Sequence, residues 1–104
     1  MAAPWNPPKR AEDLEIVVGL LDWNNPGRFK VSPTLAAGDV KISKDGGAEA
    51  NLATLPVVEP AASTGVKMVL SATDMTMDKG YVLFKDQTDP PEWCDLKIPI
   101  VTTQ

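Results

Sequence analysis

The chain has 104 residues, 10 basic against 14 acidic, a formal charge of −4, no histidine and a single cysteine. Its length fits one domain that buries roughly 65% of its unfolded surface, enough for a modest core but not for a large internal pocket. Those counts exclude a disulfide framework, a Cys/His zinc cluster and a histidine-based acid–base centre, and the basic residues are too scattered to track phosphates.

Ten prolines, about twice the usual share, leave little room for long helices. Residues 1–11 open with Pro4-Trp5-Asn6-Pro7-Pro8, a composition that favours extended polyproline II. The expectation is a proline-rich arm. Trp5 on so stiff a stem offers a large apolar contact at low entropic cost, which suits a groove on the same subunit or another. Trp5, Pro4, Pro7 and Pro8 are therefore candidate interaction residues. The opening has no apolar stretch of a secretory signal, and no apolar run reaches the ~20 residues of a membrane span. The expectation is synthesis in cytoplasm, in keeping with the lone Cys94.

From residue 12 to 104 the pattern predicts one β domain. Leu14 to Leu21 reads as the first strand, Trp23 to Gly27 as a turn, and Arg28 to Val31 as a short extended piece. Trp23, beside that turn, is a further and weaker contact candidate. Val40 and Ile42 alternate with Lys41 and Ser43, and Asp45-Gly46-Gly47 supplies a hairpin turn. Ala48, Ala50 and Leu52 are expected inward on the returning strand. Leu55 to Pro60 is bounded by prolines, as an edge strand would be. Val66, Met68 and Leu70 mark another half-buried strand. Ser71 to Lys79 is the one stretch that reads as a helical turn, with Thr73 as cap and Gly80 as stop. Tyr81 to Lys85 and Trp93 to Thr102 complete the set. Pro99 assigns the last strand to an edge, because it lacks a ladder donor. Seven or eight short strands at this spacing predict an immunoglobulin-like antiparallel β-sandwich.

Chemistry-bearing clusters are few. Asp74, Asp78, Asp86, Asp89, Glu92 and Asp95 are acidic and weigh as a solvated rim against a calcium site, whose EF-hand spacing they do not match. Cys94 reads as a small core residue. No catalytic, cofactor-binding or metal-ligating residue is expected, and no nucleic-acid or membrane partner.

Gly38 to Pro56, Val66 to Met77 and Glu92 to Thr103, together with the opening Pro-Trp-Asn-Pro-Pro, resemble a recurring β domain of tailed-bacteriophage structural proteins. That resemblance implies a virion component of the neck or head–tail connector, tail or capsid. Its partners would be other virion proteins, and it would form a symmetric homo-oligomer in the particle. Relatives of this kind often continue into a long, low-complexity extension, where this chain ends at Gln104. The alternative expectation is a carbohydrate- or host-surface-binding sandwich, with Trp23 and Trp93 as stacking residues.

Overall fold

A computed structural model describes residues 8–103. Seven strands are found there: β1 (Leu14–Val18), β2 (Val40–Lys44), β3 (Ala50–Asn51), β4 (Val57–Val58), β5 (Val66–Leu70), β6 (Lys79–Phe84) and β7 (Leu96–Val101). They form two antiparallel sheets, one in the order β1-β5-β4 and the other β3-β2-β6-β7. These are the B-E-D and C′-C-F-G orders of an immunoglobulin-type sandwich. The expected all-β fold is present, and no helix occurs among the described residues.

Side-chain alternation builds the core between the sheets. Val66, Met68 and Leu70 of β5 are completely buried, as are Val82 and Phe84 of β6. Leu14, Ile16 and Val18 of β1 pack against that cluster from the partly covered margin. Fully buried Trp93 meets Phe84 edge to face, ring centroids 6.5 Å apart at 67°. β5 is central in its sheet, which is why its inward residues are the most completely covered.

The β2–β3 connection shows how local chemistry sets register. Asp45 and Gly46 have φ of 51° and 78°, and the Gly47 amide donates to the Lys44 carbonyl at 2.8 Å, the pattern of a type I′ turn. Pairing resumes at Ile42 and Ala50, so Ala48 and Glu49 stand opposite Ser43 alone. This is a β-bulge. Ser43 Oγ donates to the Gly47 carbonyl at 2.7 Å and holds it. The extra residue puts Leu52 on the inward phase, where its amide donates to Val40 and its side chain is buried. Ala48 and Ala50 are exposed, contrary to the alternation in the sequence. Ala48 sits in the bulge itself, and Ala50 on a two-residue strand at the sheet margin.

The expected helical turn at Ser71 to Lys79 is corrected in kind. It is a single α-turn, with the Met75 amide donating to the Ser71 carbonyl at 2.9 Å. Ser71 rather than Thr73 caps it: Ser71 Oγ accepts from the Asp74 amide, and Asp74 Oδ2 accepts from the Ser71 amide. Met75 and Met77 then bury fully and close one end of the core. Gly80 is not a helix stop but lies within β6.

β4, flanked by Pro56 and Pro60, and β7, which contains Pro99, are edge strands, as expected. The first expected strand is shorter than its apolar run and ends at Val18. Leu21 and Asp22 instead form isolated bridges to Phe29 and Trp93.

Candidate functional site

The outer face of the three-stranded sheet carries apolar side chains in register. Val17, Lys67 and Val57 form one cross-strand row, and Glu15 and Val69 the next. All three valines are exposed, Val17 by 62%. Lys67 at the centre lies 2.8 Å from Glu59 and 3.6 Å from Glu15. The hydrogen bond and charge of Glu59, more than those of Glu15, raise the Lys67 ammonium above the ordinary lysine range. Its charge is answered inside the face by two exposed carboxylates, which leave a net charge of −1 beside the valines. The strip continues past Val17 to Gly19, where the absent side chain leaves room for the Phe29 ring: a Cβ there would sit 2.7 Å from that ring. Phe29 and its bridge partner Leu21 are both exposed. Among the described residues, the outer edge of β1 has no strand beside it.

A second feature lies at the other end of β7. Trp23, 49% exposed, lines an open cleft of about 570 Å³ with Lys85, Gln87, Asp89, Pro91 and Asp95. The Trp23 amide donates to the Glu92 carbonyl at 3.0 Å, which fixes its turn against the 86–95 loop. Asp86 organises that loop from within. Its Oδ1 accepts from the Thr88 amide and hydroxyl at 3.0 and 2.7 Å, and its Oδ2 from the Glu92 amide at 2.7 Å. Burial pushes its pKa up, but these donors outweigh burial and hold the carboxyl below the usual range.

The linkage of Asp86 to acid stability follows from that direction. With the folded pKa below the unfolded value of about 3.9, the stabilisation is complete above that pH and drains away as the pH falls through the folded pKa. Thermal melts from about pH 6 down to about pH 2 should show this loss below about pH 3.9, and Asp86→Asn should flatten the acid limb. An acid limb as steep in the variant as in the wild type would remove Asp86 from this role.

Pro4, Trp5 and Pro7 lie outside the described residues. Pro8 is half-buried, and its carbonyl accepts from the Thr103 amide at 2.8 Å and hydroxyl at 3.1 Å. Lys9 bridges Thr103 in parallel, and the Ala11 amide donates to Met75. Pro8 and Trp23 therefore stand at opposite ends of β7. Trp23 does not cap the core. Trp93 does, with Nε1 donating to the Thr34 carbonyl at 3.4 Å, so it cannot stack on a ligand. The acids are not a uniform solvated rim either. Besides Asp86, Asp74 caps the α-turn and Asp78 pairs with Arg10 at 3.3 Å. No group of three or more His, Cys, Asp or Glu side chains among the described residues is placed to hold a metal.

Missed by the sequence reading was the apolar row on the outer sheet face. Val17 and Val69 each sit opposite a charged residue, and only the strand pairing brings them together with Val57. Compared with protein-family models, curated proteins and solved structures, the chain has no match.

Proposed function

We propose that this chain is a non-catalytic structural subunit of a tailed-bacteriophage particle that docks on the neck, tail or capsid through protein–protein contacts. The observation that carries the contact role is the outer face of the β1-β5-β4 sheet, where Val17, Val57 and Val69 surround a Lys67 already paired with Glu15 and Glu59. Exposed apolar side chains gathered on one sheet face support a contact surface, and the excess carboxylate beside them would face a basic group on the partner. The phage setting is supported by the resemblance carried by Gly38 to Pro56, Val66 to Met77 and Glu92 to Thr103.

The test is a paired substitution, Val17→Lys with Val57→Glu, which leaves net charge unchanged. Both positions are exposed, so each change should cost about 1 kcal/mol or less. The variant should melt near the wild-type temperature and be lost from purified particles. Normal incorporation would sink the reading.

A second reading, saccharide binding, is favoured by half-exposed Trp23 in its polar-lined cleft. There an aromatic face and fixed polar groups stand side by side, as sugar recognition requires. A glycan array probed with wild type and Trp23→Ala separates the two. Sugar binding lost in the variant supports the second reading, and no binding by either protein rejects it.

A further inference from the structure

The two sheets end in four strand edges, β1 and β4 on one, β3 and β7 on the other. Their main-chain groups differ in what they leave open. At β7 the Thr102 amide donates to the Asp78 carbonyl at 3.0 Å, so Val101, Pro99 and Lys97 direct their groups outward. Pro99 has no amide to offer there. At β4 the Glu59 amide donates to the Gly65 carbonyl at 3.0 Å, which turns the groups of Val58 outward. Pro56 and Pro60, two residues to either side, again lack a donor. β3 is only two residues long. Each of these three edges is blunted against strand addition.

β1 is the exception. The same Glu59–Gly65 bond assigns Gly65 and Lys67 to β4, so Val66, Met68 and Leu70 of β5 face β1. Their partners Val18, Ile16 and Leu14 are thereby satisfied. Glu15 and Val17 direct both amide and carbonyl away from the sheet, and no strand lies beside them among the described residues. The five residues of β1 include no proline. Side-chain cover is incomplete on both faces as well. Leu14, Ile16 and Val18 point inward yet are only partly buried, and Val17 is 62% exposed on the outside.

We infer that β1 accepts an antiparallel strand from a partner protein, with an apolar residue level with Val17 and a lysine or arginine level with Glu15. Charge selects the basic residue. Lys67 lies 2.8 Å from Glu59 but 3.6 Å from Glu15, so Glu15 holds the excess negative charge of this face. Opposite charges level across an antiparallel pair attract, and like charges repel. The added strand exchanges hydrogen bonds with Glu15 and Val17, and its inward residues cover the margin at Ile16 and Val18. A second copy fits less well, because its own β1 brings another glutamate and no basic residue. This goes beyond docking on the valine face: main-chain pairing supplies the grip, and Glu15 with Val17 chooses the sequence.

The experiment uses the full chain and two synthetic peptides. One is Lys-Thr-Val-Val-Ile-Lys-Val-Thr-Lys, whose internal lysine falls level with Glu15 when its second valine is level with Val17. The other has glutamate in place of that internal lysine. Amide hydrogen exchange should find Ile16 and Val18 protected in the free chain, and Glu15 and Val17 open. The lysine peptide at saturation should slow exchange at Glu15 and Val17 at least about tenfold. The glutamate peptide should bind about fivefold more weakly. Glu15→Lys, a change at an exposed side chain, should reverse that order.

No added protection at about 1 mM lysine peptide would overturn the inference. So would equal binding of the two peptides, or an order that Glu15→Lys leaves unchanged. Slow exchange at Glu15 and Val17 in the free chain at every concentration would mean an edge already covered. Protection that grows with protein concentration would mean pairing with a second copy, and either result overturns the inference too. No particle enters this assay, so its outcome is separate from that of the valine-face substitutions.

Discussion

Replacing Trp93 by alanine is expected to remove about 3–5 kcal/mol of folding stability, the range for a large aromatic deleted from a closed core. The indole is fully buried against Phe84, and its N–H reaches the Thr34 carbonyl. Its backbone bridges Asp22, so the same residue ties the 21–29 hairpin to the last strand. Deletion leaves a void that the two sheets cannot close, and an acceptor at Thr34 without its donor. A domain of this size has about 5–15 kcal/mol in total, so the melting temperature should fall by about 15–30 °C. Denaturant titration with an unchanged slope gives the energy directly. A loss below about 1 kcal/mol would mean that Trp93 is not the packing centre described here.

Gly80→Ala should be nearly as damaging, for a different reason. Gly80 faces Lys44 in the β2–β6 ladder. A methyl group there would overlap the Ser43 carbonyl and come within 2.8 Å of Met77 Sδ. Backbone in the middle of a sheet cannot step aside, so the strain is expected to cost about 2–3 kcal/mol, at the upper end for an added methyl in a packed site. Gly19→Ala is the informative control. There the obstructing atoms belong to the exposed Phe29 ring, which can swing outward. Parallel thermal melts should show a large loss for Gly80→Ala and less than about 1 kcal/mol for Gly19→Ala. Equal losses would contradict the distinction between backbone and side-chain obstruction.

Much of the fold was legible because its signals are local. Alternation in Val66, Met68 and Leu70 identified β5, and Asp45-Gly46 identified a turn needing positive φ. Pro99 identified an edge, since a proline has no amide to give to a neighbour. What escaped depends on partners far along the chain. Asp45 is an example: its carboxylate accepts from the amides of Asp78 and Lys79, at 2.9 and 3.1 Å, across more than thirty residues of sequence. These two backbone donors hold its pKa below the usual range. Nothing near Asp45 in the sequence announces that role. Trp93 likewise reads in the sequence as the start of the last strand or, beside a loop, as a stacking residue. Only the bridge to Asp22 draws it under the core. The bulge at Ala48 and Glu49 was invisible for the same reason, since it is seen only once Ile42 is known to face Ala50.

The candidate surface divides in the same way. Trp23 could be named from its place beside a turn, and the structure adds the cleft next to it. The valine row is a product of register, and it argues for docking more strongly than the residues that the sequence singled out.

A reconstruction of the intact particle at side-chain detail tests the account where it is most exposed. It should contain this sandwich in a symmetric arrangement, with Val17, Val57 and Val69 pressed against a neighbouring subunit. A particle that lacks the chain, or that leaves the three-stranded sheet facing solvent, would contradict it.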